Sequence, residues 1–117
     1  MTNLLRETVE AVESSKHTPE DIVYIGSRDG YSCTWEEFVS LADVEYDSGF
    51  GGQEVASDLE VIFSDGGTLH RGEYDGSEWW GYTPPFMRPA EHKPIRHLVP
   101  PAGYWGTLAE IHENADD

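Results

Sequence analysis

Asp43, Glu45 and Asp47 alternate along the chain, and Glu54 follows where the last, bidentate ligand of a calcium loop would fall. That spacing suits a hard cation, which takes six to eight oxygen ligands. The helix–loop–helix calcium motif also needs glycine at its sixth position, and Ser48 stands there. The residues that follow read as strand rather than helix. A cation- or small-ligand-binding loop over 43–54 is therefore the second reading of this stretch.

The first reading rests on sign rather than spacing. From Asp29 to Asp65 the chain carries Asp29, Glu36, Glu37, Asp43, Glu45, Asp47, Glu54, Asp58, Glu60 and Asp65 with no Lys or Arg among them. A solvated face normally interleaves both signs. A one-sign face projects a long-range field that speeds capture of a basic partner. Glu36, Glu37, Asp43, Glu45, Asp47 and Glu54 are thus the candidate binding face for a basic protein surface. Their carboxylates would stand where nucleic-acid phosphates otherwise would. The same composition also fits a soluble domain from an acidic proteome. At a net charge of −16, nucleic acid and anionic membranes are excluded as direct partners, because they repel such a chain.

Other reactive types are sparse. Cys33 is the single cysteine, so no intrachain disulfide and no cysteine zinc site can form. A nucleophilic thiol would need a histidine and a cationic setting beside it, and His17 and His70 could come close only by folding; a small buried hydrophobe is the plainer role. The five histidines, His17, His70, His92, His97 and His112, show no zinc-motif spacing. His92 and His97 with Arg88, Lys93 and Arg96 make the only basic cluster, read as an internal counter-ion strip or an anion site. No phosphate loop, dinucleotide fingerprint, nucleophile elbow or metalloprotease motif occurs. Adjacent carboxylates such as Glu36 and Glu37 are too common here to mark acid–base catalysis. The expectation is a non-enzymatic protein without a cofactor.

The elements that must position these residues centre on 58–85. Leu59, Val61 and Phe63 alternate with less apolar positions, the period of a half-buried strand. Asp65-Gly66-Gly67 and Asp75-Gly76 supply the residues that tight hairpins need, and Pro84-Pro85 ends the run. The prediction is a three-stranded meander. Trp79 and Trp80 must then point to opposite faces; one is core, and the other, if exposed beside acids, is a partner anchor. We add Trp79 to the candidate binding residues. Tyr82, Tyr104 and Trp105 complete the aromatic set.

Around the meander, Leu5, Val9 and Val12 form a helical stripe, with Leu4 and Ala11 beside it and Glu7, Glu10 and Glu13 facing away. Thr18-Pro19-Glu20-Asp21 is a helix start good for one turn, and 22–25 reads as a buried strand. Thr34-Trp35-Glu36-Glu37 is a capping box opening a helix with Trp35, Phe38 and Leu41 inward. A short edge strand is expected at 44–46. Thr107-Leu108-Ala109-Glu110 repeats the box. The organisation expected is one α+β domain over 1–117 with a mainly antiparallel sheet. It comprises an N-terminal helix over 3–15, an α+β core over 20–85 with a helix at 35–42, a proline-rich wrap over 86–102, and a helix over 107–113. Within the wrap, Ile95, His97, Leu98 and Val99 could add one short strand. The start, MTNLLRETVEAVE, is acidic and amphipathic rather than basic then apolar, and no apolar run reaches membrane-span length. A cytoplasmic location is expected.

The segments DIVYIGSRDGY (21–31) and EYDGSEWWGY (73–82) resemble small acidic proteins of unassigned function encoded by actinobacterial phages. The resemblance covers roughly residues 21–85. It implies a viral accessory protein that acts in a host bacterial cytoplasm by binding a host factor, and it carries no site residues with it.

Overall fold

The computed structural model describes residues 1–49, 52–100 and 106–115. They show an α+β fold in which the chain divides into two compact units, Met1–Phe86 and Met87–Asp117.

The first unit is built on a five-stranded antiparallel sheet. Its strands are β2 (Ile22–Gly26), β3 (Ser32–Cys33), β5 (Glu60–Phe63), β6 (Thr68–Tyr74) and β7 (Ser77–Thr83), in the order β3-β2-β5-β6-β7. A separate two-stranded ladder joins β1 (Thr2–Asn3) to β4 (Glu45–Tyr46). The meander forms as its turn residues dictate. Asp75 (φ 54°) and Gly76 (φ 87°) both take the left-handed conformation, as a two-residue hairpin demands. Gly26 is needed for a different reason: a Cβ there would lie 1.9 Å from the Tyr31 carbonyl oxygen.

Register assigns the faces. Ile25, Val61, Phe63, Leu69, Arg71, Glu78 and Trp80 share the face that the helices cover, and their alternation matches the pleat. Leu4, Val12, Phe38, Ala42 and Tyr46 close the core from the other side. Val23, expected in a buried strand, is 63% exposed. The β2–β5 register slips between Ile22 and Tyr24, and this bulge turns Val23 out of the pleat.

Both first-unit helices sit on that face with stripes shifted from those expected. Helix α1 (Leu4–Ser14) is capped by Asn3, whose side chain accepts from the Arg6 amide. It ends with Lys16 at φ 68° and with His17 N–H on the Val12 carbonyl, a Schellman closure without glycine. Its buried residues are Leu4, Thr8 and Val12; Leu5 and Val9 are only half-buried. Thr8 is tolerated because its hydroxyl donates to the Leu4 carbonyl and accepts from Trp80 Nε1. Glu7 does not face away, because i+3 from Leu4 keeps it beside the stripe. Helix α2 (Trp35–Ala42) has the expected capping box, with Thr34 and Glu37 bonded reciprocally at 2.9 and 3.1 Å. Phe38 and Ala42 are buried, while Trp35 is half-buried and stacked on Phe38. Leu41 is 68% exposed. Positions 35, 38 and 42 fall within an arc of about 60°, and position 41 lies roughly 90° from its centre.

In the second unit α3 (Leu108–Ala115) starts at the expected box, Thr107 and Glu110. Residues 84–100 form no helix or strand, so the short strand suggested for Ile95–Val99 is absent. Prolines at 89, 94 and 100 interrupt it.

Candidate functional site

The most structured polar feature of the first unit is a buried arginine. Arg71 occupies an inward position on β6, and its side chain is fully buried. Nη2 donates to Tyr46 Oη and to Glu78 Oε1, both at 2.9 Å. Nη1 reaches Glu7 Oε1 at 3.3 Å, and Tyr46 Oη donates to the same Glu7 oxygen at 2.6 Å. The guanidinium also lies over the rings of Trp80 and Tyr46, 4.8 and 5.7 Å from their centroids. Nε has no hydrogen-bond partner among the described residues.

Glu78 is the other half of this hub, and its side chain is also fully buried. Burial by itself would raise its carboxyl. The Glu54 amide at 2.7 Å, Arg71 and the Val55 amide at 3.2 Å outweigh that and hold it below its ordinary value. Burial, and then the bond to Glu7, push the Tyr46 phenol up to about 12. The backbone N–H of Glu78 donates to the Ser48 carbonyl at 2.8 Å. One side chain and one amide of β7 thus seat both ends of the 48–55 stretch, which carries Glu54 and follows Asp47.

Asn3 and Glu78 hold most of those acids in place. Asn3 Nδ2 donates to Asp43 at 3.0 Å and to Glu45 at 3.1 Å. Two carboxylate oxygens that share one nitrogen stand within about 6 Å of each other, where like charges repel. Asp47 accepts from the Gly49 amide. Glu54 is exposed where its amide meets Glu78. Glu36 and Glu37 lie at the other end of α2 from Asp43, roughly 10 Å along the axis. The sequence-derived set is therefore brought together as two groups, 43–54 and 36–37. Trp79 belongs to neither. It is 43% exposed on the sheet face opposite the helices, with its indole over Gly72; Trp80 is the inward member of the pair.

Two of the cations in this unit are engaged elsewhere. Residues 1–86 hold eighteen acids and four Lys or Arg. Arg71 is enclosed by Glu7 and Glu78, and exposed Arg28 meets Glu60 at 2.5 Å. Among the described residues none of the six candidate carboxylates is in an ion pair with Lys, Arg or His.

Three other constellations fall short of chemistry. Ser15, His17 and Asp65 connect like a hydrolase triad, with Ser15 Oγ to Nδ1 at 3.0 Å and Nε2 to Asp65 at 2.8 Å. Ser15 is buried, however, and its hydroxyl donates to the Val12 carbonyl. His17 is stacked on Phe63 with centroids 3.8 Å apart. The three residues fasten the end of α1 to the β5–β6 turn and present no accessible nucleophile. Burial, and then the charge of Glu37, raise the Cys33 thiol, which disfavours thiolate. Among the described residues no group of three His, Cys, Asp or Glu is placed to hold a metal ion, and no helix is long and apolar enough to cross a membrane. The basic cluster lies in the second unit, where the amides of Arg96 and His97 donate to Nε2 of His112 at 2.9 and 3.3 Å. Tyr104 and Trp105 lie outside the described residues.

The sequence reading missed Arg71, Glu78, Glu7 and Tyr46. A signal existed. Arg71 and Glu78 share the inward parity of Leu69 and Trp80, so two opposite charges stood at core positions of one hairpin.

No family model, curated protein or solved structure matches the chain. The resemblance to phage proteins stands on its quoted residues alone.

Proposed function

We propose that the chain is a small, non-enzymatic acidic binding protein. Its 36–54 surface occupies a basic face of another protein, with carboxylates taking the place of nucleic-acid phosphates. One observation carries this reading: Glu36, Glu37, Asp43, Glu45, Asp47 and Glu54 stand without cationic partners among the described residues, while Arg71 and Arg28 are tied to other acids. Uncompensated like charge opposes the compact state, and a charge this large exceeds what solubility needs. A surface held so by a buried hub is suited to steering a basic partner into contact. On the phage resemblance, the partner is a host bacterial protein met in the cytoplasm.

The test recovers a partner from a bacterial lysate at low salt and then measures association rates. Reversing Glu45 and Asp47 to Lys should slow association several-fold, with a weaker effect at high salt. Reversing exposed Glu10 and Glu13 on α1 is the control and should do little. Equal effects from the two pairs would reduce the result to total charge. A partner bound equally well at high salt would refute electrostatic capture.

A further inference from the structure

The two edges of the sheet differ in a way the acidic surface does not explain. One edge is blunted: β3 has only two residues, and the bulge at Val23 distorts β2 beside it. Natural sheets protect exposed edges with such devices, or with lysines and prolines inside the strand. The other edge, β7, has none of these, and its one inward charge, Glu78, is neutralised by Arg71. Its pairing with β6 runs through seven residues without a register shift, and residues 77–83 contain no Lys, Arg or Pro.

Ladder geometry shows which backbone groups face outward. The Glu78 N–H points away from β6, because it donates to the Ser48 carbonyl. In an antiparallel pair that orientation repeats every second residue. The N–H and C=O groups of Trp80 and Tyr82 therefore also point away from β6, and no described residue pairs with their amides. Ser48 closes the edge at Glu78, and Pro84-Pro85 stops it after Thr83. Between these limits lies a short open rail. Its side chains flank it on both faces: Trp79, 43% exposed, on one and Tyr82, 38% exposed, on the other.

We propose that this rail is a docking site for an extended basic segment of the partner, which adds to the sheet as a sixth strand beside Trp80–Tyr82. The proposal rests on the acidic-binding reading and supplies its mode of contact. Strand addition takes affinity from main-chain bonds and specificity from alternate side chains; here those would meet Trp79 on one face and Tyr82 on the other. Charge selects the occupant. The blocked end of the rail is where Ser48 and the Glu54 amide meet Glu78, so Asp47 and exposed Glu54 flank it. Lysines or arginines at that end of the added strand would face those acids. A second copy of the chain could pair through the same edge but would bring another −16 charges to the contact.

The probe is a nonapeptide of alternating lysine and valine, offered to the full chain at low salt. An isomer with D-residues at two central positions keeps its charge but cannot lie as a regular strand. Binding of the all-L peptide should slow hydrogen exchange at the Trp80 and Tyr82 amides at least tenfold, and the isomer should bind roughly tenfold more weakly, as loss of one or two net hydrogen bonds requires. Equal affinity for the two peptides, with exchange at Trp80 and Tyr82 unchanged, overturns strand addition and leaves the acidic surface as the binding face. Failure of both peptides to bind overturns the acidic-binding reading as well. Protection of the two amides that grows with protein concentration, without peptide, identifies the second copy as the occupant and overturns the basic segment.

Discussion

Replacing Glu78 with alanine tests whether the acidic connection is seated on a buried ion pair. The substitution leaves the Arg71 guanidinium enclosed with only Glu7, at 3.3 Å, and Tyr46 as partners. It also removes the acceptor for the Glu54 and Val55 amides. Deleting one member of a buried pair costs about 3–5 kcal/mol, because the survivor is left desolvated. Glu7 remains, and the two amides lie in a connection able to turn toward water, so the lower end applies: about 3–4 kcal/mol. Against a typical total of 5–15 kcal/mol the variant should still fold, with its melting temperature lowered by roughly 12 °C or more. Glu7→Gln should cost less than about 1 kcal/mol, since that carboxylate is partly exposed and more distant. The double change Arg71→Met with Glu78→Leu should recover most of the loss, because apolar groups of similar volume replace the pair without a stranded charge. Urea unfolding of the four proteins gives the comparison. A cost below about 1 kcal/mol for Glu78→Ala, or a double variant no better than the single, would refute the hub.

The same pair fixes an acid limb. The folded-state carboxyl of Glu78 titrates below its ordinary value of 4.5. Its contribution is therefore complete above that value and is lost as pH falls through the lower folded value. The parent should lose stability more steeply below pH 4.5 than Glu78→Gln, which has no carboxyl to protonate.

Tyr46 predicts an alkaline limb. With its phenol raised from 10 to about 12, the stability it contributes is complete below pH 10 and lost between about 10 and 12. Absorbance of tyrosinate should show a late component that Tyr46→Phe removes; a Tyr46→Phe titration identical to the parent's would refute the assignment. Salt should stabilise the chain. Raising sodium chloride to 1 M shortens the screening length to about 3 Å, so the melting temperature should climb if unpaired acids repel one another. A flat or falling series would mean that those acids are already neutralised.

How much of this was legible depended on how local the physics is. Both capping boxes and both hairpin turns formed where their residues stand, because each is decided within four or five residues. The inward period of the meander was also readable, as was the split of Trp79 from Trp80. The helix stripes sit one position from those that hydrophobicity predicts. Hydrophobicity alone puts Leu41 inward and Glu7 outward, whereas packing against the sheet selects the arcs through Phe38 and Ala42 and through Leu4, Thr8 and Val12. The bulge at Val23 has no composition signal at all. The hub was invisible for a further reason: Glu7, Tyr46, Arg71 and Glu78 are separated by up to 71 positions and become one network only after β4, β6, β7 and α1 meet.

That distance bears on how the acidic surface is held. The described residues of the connection from Asp43 to residue 59 include no helix or strand beyond β4, and a polar stretch of this length has little of its own to fix it. It gains order by giving the Glu54 and Val55 amides and the Ser48 carbonyl to Glu78. Glu78 can accept them while buried because Arg71 neutralises it. One of the four Lys or Arg in the first eighty-six residues is thus placed beneath the surface, where it supports the stretch that carries Glu54 and follows Asp47. The open backbone of β7 begins two residues from that anchor, at Trp80. The charged face and the pairing edge therefore share one support, and loosening Glu78 should disturb both together.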